Sequence, residues 1–331
     1  MSRLDRRGFL GLSLGGLAAL GSAPLREKAH VGKAERRGAA ERPEDRPYAL
    51  VLGSVQDGGL PQVGCYTERC ERARRQPRYV TSLLLVDPAT EAFYLVDASP
   101  DITRQLDLVN LPAFRARAAA RRPFDGIFLT HAHIGHYTGL AQLGREGLGM
   151  APTPCYCTAA MAAFLRENGP WSLLVSEGRL DLQILEPERE QELGPRLSVR
   201  ALPVPHRHVY SDTVGFEIGG PAARLLYLPD IDRWEDWDRD VETVVAGVSV
   251  ALLDGAFYAA SEVPGRDQRR IPHPLIPHTM DRLQGLVGSD RRIVFTHLNN
   301  TNPALDEGSP ERAEVLRRGF EIAREGEAFA L

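Results

Sequence analysis

The chain has 331 residues, 43% hydrophobic and 25% charged, with a formal net charge of −4. That is an ordinary globular composition, long enough for one large domain or two small ones. It shows no basic excess to mark a nucleic-acid surface, and four cysteines are too few for a disulfide scaffold at this length.

Residues 1–25 read as a targeting segment. Arg6-Arg7 stand ahead of an apolar, Gly- and Leu-rich run from Phe9 to Leu20. A charged stretch before an apolar one is the order of an export signal, and the paired arginines point to the twin-arginine machinery as a partner. The run is shorter than the roughly 20 residues a spanning helix needs, so stable membrane insertion is expected only if the signal stays uncleaved. Gly21-Ser22-Ala23 is small enough for cleavage, but Pro24 follows it. The expected location is periplasmic or exported. Residues 26–47 are charged, contain Pro and Gly, and read as a flexible linker. The folded domain is expected over 48–331.

Within that domain "YALVLGSV" predicts a strand ending in the loop "QDGGLPQVGC". "SLLLVDP" and "AFYLVDAS" predict a hairpin across the turn Pro88-Ala89-Thr90-Glu91. "PDITRQLDLVN" reads as helix, "DGIFLT" as strand and "AMAAFLREN" as helix. "LSVRALPVPH", "TVGFEIGG", "ARLLYLPDID" and "VSVALLDGAFY" are further strands. In "WEDWDRD" a solvated helix start is expected, with Trp234 and Trp237 on its inner side. "PHTMDRLQGLVG" is helix, "RRIVFTHLNNTNP" a strand and loop, and "SPERAEVLRRG" a helix capped by Ser309, with Arg312 and Glu314 on its polar side. No internal repeat is visible. Strands interspersed with helices predict α/β layers, with two central sheets covered by helices outside.

The chemistry lies at the strand ends. "LTHAHIGHYTGL" places His131, His133 and His136 directly after a strand. Alternate residues of an extended loop can aim two imidazoles at one ion, and a turn brings the third beside them. Neutral imidazole is the usual zinc ligand and suits iron as well. A catalytic zinc site needs about three protein ligands and one open position. Later strand exits add His206 and His208, Asp230 and Asp232, His273 and His278, and His297.

The HxHxxH loop, "PVPH", the aspartate after an apolar strand and the terminal "THLNN" follow the order of the metallo-β-lactamase superfamily, which the chain resembles from about Tyr48 to Leu331. "LGSVQDGGLPQ", "VDASPDITRQL" and "HLNNTNPALDEGSPER" are similar to the branch containing the pyrroloquinoline quinone biosynthesis protein B. The resemblance implies an αββα sandwich, two mixed sheets flanked by helices, with a metal site at their shared edge. It implies His131, His133 and His206 as one metal site, Asp230 reaching both metals as the catalytic carboxylate, and His136 and His297 at a second site. His206 is preferred to His208, and Asp230 to Asp232, because each stands first past its strand. His208, His273 and Asn299 are placed at the site edge, His273 as a wall residue. His278 reads as a surface residue at a helix start. Asn299, Asn300 and Asn302 read as turn formers or as hydrogen-bond donors to a developing oxyanion.

One departure stands out. The family's dinuclear hydrolases carry an aspartate where this chain has Gly135. A weakened or reorganised second site is expected, with His208, His273 and Tyr137 the nearest candidates to fill the gap. "DGG" at Asp57-Gly58-Gly59 falls near the site edge, where glycines let backbone approach a ligand. For Cys65, Cys70, Cys155 and Cys157 a zinc knuckle, a Cys65–Cys70 disulfide and buried thiols all stay open. The leading function is an exported hydrolase. In it, metal-activated water attacks an ester, lactone, amide or phosphodiester of a small molecule, with one or two zinc ions, or iron or manganese. The alternatives are a redox or accessory role in quinone-cofactor maturation, and a non-catalytic binding protein keeping the fold.

Overall fold

A computed structural model describes residues 45–263, 272–288 and 290–331. The expected targeting segment and nearly all of the expected linker lie outside these residues. Six strands open the described chain: β1 (Tyr48–Gly53), β2 (Ser82–Asp87), β3 (Ala92–Val96), β4 (Gly126–Phe128), β5 (Thr153–Cys157) and β6 (Leu180–Ile184). Seven follow: β7 (Glu190–Glu192), β8 (Ser198–Pro203), β9 (Val214–Gly219), β10 (Arg224–Leu228), β11 (Val250–Asp254), β12 (Arg292–Thr296) and β13 (Glu321–Ile322). The last strand, β14 (Ala328–Ala330), returns to pair with β1.

The strands form two seven-stranded sheets, ordered β14-β1-β2-β3-β4-β5-β6 and β13-β12-β11-β10-β9-β8-β7. In the first sheet the pairs from β14 through β3 are antiparallel and those from β3 through β6 parallel. The second repeats the scheme, antiparallel from β7 through β10 and parallel from β10 through β13. The two halves share a pairing plan that no sequence repeat displays.

Period-two alternation explains why the central strands read as nearly unbroken apolar runs: both faces of each sheet are covered there. In β1, Ala49 and Val51 enter the core between the sheets, with Leu83, Phe128, Phe216, Leu252 and Val294. Leu50 and Leu52 face the other way, toward Ile102, Phe114 and Met161 of the outer helices. In β11 Leu252 lies between the sheets, while Ala251 and Leu253 pack with Met280 and Val315 on the far side. The result is the helix–sheet–sheet–helix sandwich of the sequence reading.

The hairpin of β2 and β3 closes where the turn was expected, with Asp87 opposite Ala92. Ser309 caps the helix Pro310–Arg317, its hydroxyl accepting from the Arg312 amide at 3.0 Å. Arg312 itself corrects the reading. Far from lying on the polar side, it is buried, and its guanidinium donates to the Ala304 carbonyl at 3.0 Å. Trp234 and Trp237 are buried as expected, but Trp234–Asp236 is a single 3-10 turn and the helix starts at Val241, capped by Asp240. The helices Glu68–Ala73, Pro112–Ala119 and Trp171–Ser176 were not anticipated. Helices this short owe their stability to tertiary packing more than to propensity.

Cys65, in the loop after β1, forms a disulfide with Cys70 of the helix Glu68–Ala73. Cys155 and Cys157 are buried thiols of β5, packed in the helix-facing core of the first sheet. Among the described residues no cysteine joins a group able to hold a metal ion, so a cysteine knuckle is not present there. No helix of the described residues is long and apolar enough to cross a membrane.

Candidate metal centre

The site is built from carboxylates that orient imidazoles. Asp97 sits just past β3 in the left-handed region, φ 63°, and is fully buried. The Thr130 amide donates to its Oδ1 at 2.9 Å, pinning the start of the histidine loop, and its Oδ2 lies 2.7 Å from His136 Nδ1. A carboxylate accepts only, so the proton sits on Nδ1 and Nε2 is left as the free donor of a lone pair. The same device recurs twice. His206 Nδ1 is 2.8 Å from Asp232 Oδ1, and His273 Nδ1 is 2.6 Å from Asp254 Oδ2.

These oriented rings converge at the strand ends. His131, His133 and His206 offer donor atoms that all lie within 4.8 Å of one another. His206 Nε2 is 3.1 Å from His133 Nδ1. A second group, on the same criterion, is Asp57, His136 and His297. Asp230 stands between the groups. Its Oδ1 is 3.5 Å from His206 Nε2, while its Oδ2 is 3.1 Å from His136 Nε2, 3.3 Å from His297 Nε2 and 4.0 Å from His131 Nε2. His273 joins Asp230 and His297 in a further group.

Donor chemistry and burial fit a divalent cation. The Nε2 atoms of His131, His136, His273 and His297, with Asp230 Oδ2 and Asp57 Oδ1, are buried and make no hydrogen bond. Each unpaired buried polar atom costs about 1–3 kcal/mol, a penalty that coordination of one or two cations by this nitrogen and oxygen set relieves. Asp57 as a whole is part-exposed, its side chain 28% accessible, yet its Oδ1 is enclosed.

The electrostatics agree. Burial, helped by the charge of His136, pushes His131 well below the usual histidine range, and burial with His206 pushes His133 down to about 4, so both are neutral donors. Burial alone would raise Asp230, but the imidazoles of His297 and His136 hold it well below the usual carboxylate range. Burial opposes a charge on His136, and the surrounding carboxylates of Asp97, Asp230 and Asp57 outweigh it and hold its pKa well above normal. The space around His136 therefore favours positive charge.

Of the residues expected from the sequence, the fold brings His131, His133, His136, His206, Asp230 and His297 together. Asp232 acts behind His206. His273 is more than a wall residue, because its buried Nε2 is unpaired and faces Asp230 and His297. Three expectations need correction. His208 is exposed and joins no donor group of the described residues. Asn299 is committed to its turn: its Oδ1 accepts from the Thr301 amide at 3.1 Å and its Nδ2 donates to Gln56 Oε1, so it is not placed as an oxyanion donor. Tyr137 does not fill the gap at Gly135, being packed between Phe164 and Trp171 at centroid distances of 5.1 and 4.7 Å. His278 is half-exposed, 3.3 Å from Glu235.

The residue missed is Asp57. The sequence reading took "DGG" for its glycines and passed over its acid. The available signal was a pair of facts: a histidine loop without its acid, and an acid in a Gly-rich loop at another strand end. Their adjacency is tertiary. Val55 forms parallel bridges to both Val80 and Leu298, and the Gln56 amide donates to the Leu298 carbonyl at 3.0 Å, which sets Asp57 beside His297.

Residues 93–298 match the family described as the β-lactamase superfamily domain. Coenzyme PQQ synthesis protein B of Methylobacterium radiotolerans is 31% identical over 306 residues, covering 85% of this chain and 99% of that protein. Its counterpart in Pseudomonas putida is 32% identical over 311 residues, covering 86% and 100%. Among solved structures, Zn(2+)-bound PqqB from Methylobacterium extorquens superposes with a TM-score of 0.72 at 29% identity, covering 86% of this chain and all of that one. A diphosphatase of the PhnP family shares the fold, with a TM-score of 0.60 at 20% identity over 86% and 97% of the two chains.

Proposed function

This chain belongs to the β-lactamase superfamily and, within it, to the family of the coenzyme PQQ synthesis B proteins, and from that premise we propose that it is an exported, metal-dependent hydrolase of small molecules. The observation that carries the reading is the convergence of buried, unpaired nitrogen and oxygen donors from His131, His136, Asp230, His273 and His297 at one sheet edge. His131, His133 and His206 would hold the first ion and Asp230 would reach it through Oδ1. Zinc suits this set best, and iron or manganese also fits.

Bound there, a divalent cation supplies a water-derived nucleophile near neutral pH and polarises the scissile group of an ester, lactone, amide or phosphodiester. The chain's own residues do the rest. Asp230, ionised and central, would hold and orient the attacking water. Asp232 and Asp97 hold His206 and His136 in the tautomer that turns Nε2 inward. His273, its Nδ1 held by Asp254, turns its Nε2 toward the site in the same way.

Export is supported by the Arg6-Arg7 leader and by the Cys65–Cys70 disulfide, which suits an oxidising compartment. The test is elemental analysis of the protein exported by its own host, with a panel of esters, lactones, amides and phosphodiesters assayed before and after chelation. Bound metal with chelator-sensitive turnover is expected; a metal-free protein that cleaves nothing defeats the reading. A second reading is favoured by the match over essentially the full length of the PQQ synthesis B proteins: a redox or accessory role in cofactor maturation. Bound iron with oxygen-dependent activity on a tyrosine-containing substrate would select it.

A further inference from the structure

We propose that Asp57 supplies the carboxylate of a second metal site, completed by His136 and His297, in the space a side chain at position 135 would otherwise fill. The inference rests on the metal-dependent reading above and assigns it a ligand from a separate loop.

The first observation is steric. A Cβ built on Gly135 would lie 2.3 Å from Asp57 Oδ1, 3.0 Å from its Cγ and 2.9 Å from its Cα. The Oδ1 and Cα approaches are closer than real Cβ atoms come, and the Cα approach is to backbone, which a rotamer change cannot relieve. Gly135 is not in the left-handed region, so glycine is needed there for room and not for conformation. One carboxylate thus excludes the other: with Asp57 in place, residue 135 has to be glycine.

The second observation is the aim of the side chains. Asp57 Oδ1 lies 3.4 Å from His136 Nε2 and 3.6 Å from His297 Nε2, and none of the three atoms makes a hydrogen bond. Both rings are fully buried. Three donors held apart, unpaired and facing one another match a ligand set. The third observation is anchorage. Gln56 is latched by its amide to the Leu298 carbonyl and by its side chain to Asn299, so the residues flanking Asp57 and His297 form one rigid unit. His297 itself is held at φ 59°, a strained setting for a non-glycine residue. Asp230 Oδ2, next to His136 and His297, adds the second negative charge a dication needs.

The test uses the full chain, stripped with a chelator and titrated with zinc. Bound metal is counted by elemental analysis and affinity is read by calorimetry. Wild type is expected to take two zinc ions. Asp57→Asn keeps the shape and removes the charge; it is expected to retain one ion and to weaken the other by more than about 100-fold, since even outer partners of metal ligands cost about 10–100-fold. Gly135→Ala is expected to do the same, because the added methyl displaces Asp57. The retained ion shows that each variant has folded. Two ions at wild-type affinity in Asp57→Asn would overturn the assignment, as would a wild type holding a single ion that neither substitution affects. Equal loss of both ions with a native thermal melt would overturn the separation into two sites. A wild type that takes no zinc fails at the metal-dependent reading instead, so the two failures are distinguishable.

Discussion

The two halves of the donor cluster are assembled in different ways. His131 and His133 come from one loop, need only a partner from the end of β8, and are all-imidazole with His206. Asp57, His136 and His297 come from three separate strand ends, and their carboxylate stands in a loop remote in sequence from the histidine motif. A ligand set made by local spacing tolerates drift elsewhere in the chain. One made by the meeting of loops depends on a latch, here Val55 and Gln56 against Leu298. The charge differs as well: the first group is all imidazole and borrows Asp230, whereas the second has a carboxylate of its own in Asp57.

The sharpest way to break this contrast is to remove the first group. His131→Ala with His206→Ala should lower zinc affinity at that site by well over about 100-fold and abolish turnover, leaving Asp57, His136 and His297 able to bind. Unchanged metal content by elemental analysis would overturn the ligand assignment. Next in size are the orienting carboxylates. Asp97→Asn should weaken the ion at His136 by about 10–100-fold, and Asp232→Asn should do so only at His206. Calorimetry in which each variant weakens both ions alike would show one indivisible centre. Leu252→Ala, in the core between the sheets, should cost about 2–5 kcal/mol by denaturant melting and keep the ratio of the two affinities. A ratio that changes would tie the centre to sheet packing. The smallest effect is expected from Asn299→Ala. A fall in kcat near the roughly 10²–10³ seen on losing an oxyanion donor would restore Asn299 to the chemistry.

Much of the fold was legible because its physics is local. The strands β1–β4 and β8–β12 read as apolar runs, and Ser309 announced its helix through a hydroxyl that caps a backbone amide, whereas the shorter or more polar strands β5–β7, β13 and β14 were not anticipated. Local rules failed where burial and contact decide. Arg312 was assigned to a polar face because arginine normally seeks water, but the Ala304 carbonyl gives its guanidinium a buried partner. His208 and His206 stand two residues apart with the same chemistry; only the path of the chain after β8 buries one and exposes the other. His273 was recognisable as a histidine near the site but not as a free Nε2, because that depends on Asp254 holding its other nitrogen.

By itself the sequence determined the layered α/β architecture and the strand-end position of the histidines, which follow from periodicity and order, and its resemblance to the metallo-β-lactamase superfamily implied six members of the donor set. The same resemblance marked Gly135 as the place of a missing acid. Only the tertiary structure decided where the replacement stands. Asp57 and Gly135 meet across separate loops, with Val55 tying the Asp57 loop to Val80 and Leu298, and the distance between them is set by packing and by nothing in the local sequence of either one.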